Sequence, residues 1–186
     1  MVPASFIVVL DANVLFPFTL RDTLLRAAAA GLYQLRWSAR ILDEMTRNLV
    51  STGTMPEDRV SRLRAIMERE FPEAKVTGYE HLIDAMQNDP KDRHVVAAAA
   101  VKAGAQVITT TNLKDFVVLP DGVEAQSPDD FLCNLFDLDP IGFEELLRAQ
   151  AADLVKPPMS FEELLERLAR IVPEVVAAVR RRPTRG

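Results

Sequence analysis

Four carboxylates stand at places in this chain where segments of regular structure begin or end, and together they suit the binding of a hard cation. Asp11 follows the apolar run Val8-Val9-Leu10 without a spacer. Asp115, together with Asn112, follows a second apolar and β-branched run, Val107-Ile108-Thr109-Thr110-Thr111. Asp92 lies in Asp89-Pro90-Lys91-Asp92, and Glu44 in the segment Ala39–Val50. A carboxylate directly after a buried strand is costly unless something satisfies it. Several such groups converging on one place repel one another unless a cation stands between them. Each also has a plainer role. Asp11 can cap a turn, Glu44 can be a solvated helix residue, and Asp89 and Asp92 can complement a helix dipole. Asn112 with Asp115 can close an Asx turn. Asn13 can form a turn, or its amide can orient a ligand carboxylate.

The elements that must carry these residues read as alternating strands and helices. Residues 6–10, 33–37, 74–77, 106–110 and 122–125 read as strands, the two longest apolar runs as fully buried ones. Residues 18–30, 39–50, 57–70 and 79–86 read as helical, with Gly31 and Pro72 as stop signals and Ser38 as an N-cap. On the helix from Ala39 to Val50, Ile41, Leu42, Met45 and Leu49 form an apolar stripe. At about 100° per residue, Glu44 falls on the flank of that stripe and Asp43 nearly opposite it. The stretch Asp89-Pro90-Lys91-Asp92 reads as a helix start, with Asp89 as the cap, Pro90 in the first helical position and Asp92 in the first turn. The helix that follows, Val95 to Ala103, is small and apolar on every face, as a helix pressed against a sheet must be. This alternation predicts an α/β fold with a parallel, doubly wound sheet flanked by helices. In such sheets ligands bind in the crevice at the carboxyl ends of the strands, where Asp11 and Asp115 fall.

After about Ser127 the pattern turns helical. The phrases Phe143-Glu144-Glu145-Leu146-Leu147 and Phe161-Glu162-Glu163-Leu164-Leu165 predict two amphipathic helices joined through Lys156-Pro157-Pro158, the second opened by a Ser160/Glu163 capping box. With 186 residues, 48% hydrophobic and 26% charged, the chain suits one domain plus a helical appendix. The single Cys133 excludes an internal disulfide and suits a reducing cytoplasm. We read no signal peptide and no membrane span. A net charge of -5 argues against coating nucleic acid by bulk charge, though not against a nuclease whose acidic site is neutralised by cations. Two basic clusters are visible: Arg36, Arg40 and Arg47 with Arg59, Arg62, Arg64 and Arg69, and the tail Arg180-Arg181-Arg182-Pro183-Thr184-Arg185. Their plain readings are a solvated helical face and a frayed terminus.

Four segments resemble, in order and rough spacing, the motifs of PIN-domain ribonucleases. They are Ile7-Val8-Val9-Leu10-Asp11-Ala12-Asn13-Val14-Leu15, Ser38-Ala39-Arg40-Ile41-Leu42-Asp43-Glu44, Asp89-Pro90-Lys91-Asp92-Arg93-His94-Val95-Val96-Ala97-Ala98-Ala99, and Val107-Ile108-Thr109-Thr110-Thr111-Asn112-Leu113-Lys114-Asp115-Phe116. The best-known members are VapC-type toxins of bacterial toxin–antitoxin pairs. The resemblance covers about residues 5–135 and implies a PIN-like nuclease domain over 1–135, followed by a helical extension over 136–186. It implies Mg²⁺ or Mn²⁺ in an acidic pocket that cuts RNA, with Asp11, Glu44 and Asp92 as the core acidic set. Where many relatives carry Asp, this chain has Asn112, which offers an oxygen without charge. On this basis Asp11, Asp92 and Asp115 are expected as metal ligands, and Glu44 as a group that binds through water or takes a proton. Asn13, Thr110 and Asn112 are expected to support the site, and Lys91, Arg93 and Lys114 to contact the RNA backbone. The resemblance further implies an antitoxin partner and a homodimer. Two other readings compete. A haloacid-dehalogenase-like phosphatase also opens on a strand ending in Asp, but here Asn13 stands where its acid/base Asp belongs. A PIN fold without activity, serving as a binding module, draws support from Asn112.

Overall fold

A computed structural model of the chain describes residues 6–182, with the backbone alone at 99–101. Pro183, Thr184 and Arg185 of the basic tail lie outside the described residues, as do residues 1–5. The first strand, β1 (Ile7–Leu10), runs into a one-turn helix, α1 (Ala12–Leu15), and then α2 (Phe18–Ala29). Gly31, at φ +78°, ends that segment in the left-handed region that glycine enters without steric cost. There follow β2 (Gln34–Ser38), α3 (Ala39–Ser51), α4 (Glu57–Glu70) and the short β3 (Lys75–Val76). The segment predicted as a helix around 79–86 forms 3₁₀ turns over Glu80–Ala85. Next come α5 (Arg93–Val96), β4 (Val107–Thr109) and β5 (Glu124–Gln126).

These five strands form one parallel sheet in the order β3-β2-β1-β4-β5, as the alternating pattern predicted. The chain first builds outward from β1 through β2 and β3, then crosses back to lay β4 on the other side of β1. The β1/β4 boundary is therefore the point where strand order reverses, and it is there that such sheets open a crevice. Leu10 pairs with Thr109 at that boundary, so Asp11 and Thr110 leave the sheet side by side.

Two elements differ from the sequence expectation. Asp89-Pro90-Lys91-Asp92 closes a turn rather than starting the helix: Asp89 Oδ1 accepts from the Lys91 amide at 3.1 Å, and its carbonyl accepts from Asp92 at 2.8 Å. The helix begins one turn later at Arg93, which makes Asp92 the residue before it, and from Ala97 to Lys102 it widens to a π-helix. Among the described residues after Ser127, a further helix, α6 (Pro128–Leu138), precedes the two predicted ones, which form as α7 (Pro140–Asp153) and α8 (Phe161–Ala169), and another, α9 (Pro173–Arg181), follows them. The Ser160/Glu163 capping box is present at α8. Asp129 of α6 accepts from the Glu174 and Val175 amides at 2.9 and 3.0 Å, and so caps α9 from a neighbouring helix. Their apolar faces join the core around β1 in one continuous cluster that runs from Val8 to Val179. Among the described residues no helix is long and apolar enough to cross a membrane.

Candidate metal centre at the strand ends

Asp11 is buried and held on both oxygens. Oδ1 accepts from the Ala12 amide at 2.7 Å, capping α1. Oδ2 accepts from the Thr110 hydroxyl at 2.8 Å and the Asn13 amide at 2.7 Å. Asn13 also donates to the Thr110 Oγ1 at 3.0 Å, and its carbonyl oxygen accepts from the Thr111 amide at 3.0 Å. Thr110 Oγ1 accepts in turn from the Asn112 amide at 3.1 Å. This mesh rivets the end of β1 to the end of β4. The other end of α1 is fixed by the buried Arg21, whose guanidinium donates to the Leu15 and Phe16 carbonyls at 2.7 and 3.1 Å. Burial raises the Asp11 pKa, against the lowering effect of its hydrogen bonds. The capping role and a chemical role for Asp11 are compatible, since Oδ1 keeps a free lone pair.

Asp92 stands across the crevice. Its Oδ2 is buried and has no hydrogen-bond partner. Burial, joined by the charges of Asp11, Asp115 and Asp89 and opposed by that of Lys91, raises its pKa to about 6. The Lys91 ammonium lies 3.9 Å from Asp92 Oδ2 and 3.0 Å from Asp115 Oδ2, so a protein cation stands between the two carboxylates. Asp115 also accepts from the Asn112 side-chain amide. Its pKa is lowered, by Lys91 first. The loop carrying Asp115 is tied down by Asn88, a buried residue the sequence reading passed over. Its amide donates to the Asp115 and Val118 carbonyls, both at 3.0 Å, and its own carbonyl accepts from Arg93 Nε at 2.9 Å. Arg93 is thus engaged with backbone, while Lys114 is exposed beside Asp115.

Glu44 emerges from the flank of the α3 stripe, as its helical position predicts. Ser38 caps that helix, and Asp43 points away to pair with Arg64 of α4. Glu44 lines a cleft of about 270 Å³ with Arg40, Arg47, Asn48, Lys91, Asp92 and His94. His94 is a second residue not singled out from sequence. It is buried two positions after Asp92, its Nε2 is 3.8 Å from Glu44 Oε2, and its Nδ1 has no partner. The only sequence signal was a polar residue on an otherwise apolar helix. His94 first, and then Arg47 and Arg40, hold the Glu44 pKa below the usual carboxylate value against the opposing effect of burial.

Asp92 therefore feels the charges of both Asp11 and Asp115, and Asp11 that of Glu44. Among the described residues no three carboxylate, imidazole or thiol groups already stand as a coordination cluster. The donor chemistry nevertheless fits a hard divalent cation: every candidate atom is a carboxylate or amide oxygen. Asp92 carries an orphaned oxygen, and Lys91 supplies a positive charge between Asp92 and Asp115.

A family model described as "PIN domain" matches residues 7–114, and one described as "VapC50 C-terminal domain" matches residues 128–181. The chain is 41% identical over 107 residues to the "Putative ribonuclease VapC50" of Mycobacterium tuberculosis. That similarity covers 56% of this chain and 63% of the relative, so the chain spans less than two thirds of its length. No solved structure matches. The PIN-domain match takes in more than half of the chain, and its motifs meet at the strand ends in the parallel sheet such a domain requires: the chain belongs to the PIN-domain family.

Proposed function

We propose that this chain is a divalent-metal-dependent endoribonuclease of the VapC toxin type, hydrolysing phosphodiester bonds of RNA with Mg²⁺ or Mn²⁺. The observation that carries the reading is the buried Asp92 oxygen that has no hydrogen bond and feels the charges of both Asp11 and Asp115. Asp11, Asp92 and Asp115 would hold the cation, and a divalent ion there would supply acidification of water and neutralisation of charge on the phosphate oxygens. In the reaction a water oxygen bonds to phosphorus, the bond to the leaving ribose oxygen breaks, the water proton passes to a base, and the leaving oxygen takes a proton from solvent. Glu44, kept ionised by His94, Arg47 and Arg40, takes that proton. Thr110 and Asn13 keep the Asp11 carboxylate in one orientation, and Asn112 does the same for Asp115. The resemblance to VapC toxins also assigns an antitoxin partner, a homodimer and a cytoplasmic setting, all proposed on that likeness.

Asp11→Asn and Asp92→Asn are each expected to lower Mg²⁺-dependent cleavage of single-stranded RNA by at least about 100-fold, with the cooperative melt retained. Cleavage at the parental rate by either variant overturns the assignment. A second reading, a PIN fold that binds without cutting, is favoured by the neutral Asn112 and by the absence of a preassembled carboxylate cluster among the described residues. Calorimetric titration with Mn²⁺ separates the two, since the nuclease reading requires binding that Asp92→Asn weakens.

A further inference from the structure

We propose that Arg40 and Arg47, on either side of Glu44, seat the sugar-phosphate backbone of single-stranded RNA along α3. The proposal rests on the nuclease reading and names how that site takes its substrate. Arg40, Glu44, Arg47 and Asn48 share one face of α3, while Ile41, Leu42, Met45 and Leu49 bury the other. The cleft is lined by the cations Arg40, Arg47 and Lys91 and the carboxylates Glu44 and Asp92, and since Lys91 is already paired with Asp115, Arg40 and Arg47 are the lining cations left for a ligand.

Several neighbouring cations are engaged elsewhere. Lys91 pairs with Asp115, Arg93 donates to the Asn88 carbonyl, Arg64 pairs with Asp43 and Glu68, and Arg62 pairs with Asp58. Arg40 and Arg47 take part in no ion pair among the described residues. They are exposed, and each presents a forked set of donors that matches a phosphate. Two helical turns separate them, about 10 Å along the axis at 1.5 Å per residue. At that spacing they address two successive stretches of backbone rather than gripping one phosphate together. Asp92 and Glu44 line the same cleft, so a strand laid across both arginines passes over the carboxylates.

Fluorescence anisotropy with a labelled single-stranded oligoribonucleotide, in EDTA so that no cleavage intervenes, tests this. Arg40→Ala and Arg47→Ala are each expected to weaken binding about 3- to 10-fold at low salt and to reduce the slope of log K against log salt by about 0.7. Arg47→Lys keeps the slope, and Arg62→Ala on α4 leaves affinity and slope unchanged. A double Arg40→Ala/Arg47→Ala variant with parental affinity and slope overturns the seat, whatever the cleavage assay shows. A polyglutamate peptide that competes as well as RNA, with the same dependence on both arginines, overturns the assignment to nucleic acid. A parental chain that binds RNA through both arginines yet never cuts it with Mg²⁺ or Mn²⁺ supports the seat and overturns the nuclease reading.

Discussion

At Asp92 the fold keeps a carboxylate in surroundings that favour its protonated form. Burial raises its pKa from 3.8 to about 6, while Asp11 and Asp115 add like charge. Between about pH 4 and pH 6 the folded chain therefore holds a proton that the unfolded chain has released. Rising pH through that window favours unfolding, and above it the full penalty is present. Asp92→Asn removes the ionisable group. In metal-free solution it is expected to stabilise the fold by about 1–2 kcal/mol at pH 7. The gain should shrink toward zero near pH 4, as read by thermal melts of the two proteins side by side. A gain that is the same at both pH values, or a loss at pH 7, contradicts the account. Sequence alone marked Asp92 through its neighbours in the chain, and Glu44 through its place on the stripe. His94 was not legible, because its importance comes from a nitrogen facing a carboxylate on another helix. Arg40 and Arg47 were visible as part of a run of arginines. Which of these were free of ion pairs depended on the partners that Asp43, Asp58 and Glu68 chose.

At the scale of elements, α3 was readable to its ends because all its signals are local: a Ser cap, a stripe of period 3.6 and a helix-compatible interior. The turn at 89–92 was not. Asp89 and Pro90 are good helix starters, yet the Asp89 side chain takes the Lys91 amide and closes a turn before the helix opens. Asn88 then braces that turn against the loop that carries Asp115. Asn88→Ala removes two donors from carbonyls in the buried contact, a loss of about 1–3 kcal/mol in stability. Because the two metal-bearing segments then separate, Mn²⁺ affinity is expected to fall about 10-fold or more. Amide hydrogen exchange at 112–118 should quicken while that of β1 stays slow. Unchanged exchange in the loop would sink this reading.

At the scale of the whole molecule, the C-terminal helices are part of the same core as the sheet. Gln150 of α7 is fully buried. Its Oε1 lies 2.8 Å from the Thr23 hydroxyl, and its Nε2 donates to the Thr19 carbonyl at 3.1 Å, both on α2. The proposed division of the chain at residue 135 falls inside α6 (Pro128–Leu138). Gln150→Ala removes two buried hydrogen bonds to α2, where the Thr23 hydroxyl keeps its bond to the Thr19 carbonyl, and opens a cavity, so it is expected to cost about 2–3 kcal/mol. A chain ending at Leu138 should lose its cooperative melt, since α2 would turn an apolar face to water. Calorimetry decides: retained cooperativity in the shortened chain means the two parts fold independently.

What the sequence determined by itself was the class of fold and the order of its main elements, and it marked the acidic residues proposed for the site. Periodicity, caps and abrupt strand ends are local properties, and they act whatever the distant chain does. What only the tertiary structure decided was which carboxylate oxygen was buried without a hydrogen bond, which arginines stood outside ion pairs among the described residues, and that α6 to α9 share the core of the sheet. Burial and helix packing depend on contacts between segments far apart in the chain, which no local pattern encodes, whereas the pairs Arg62–Asp58 and Arg64–Glu68 lie one helical turn apart.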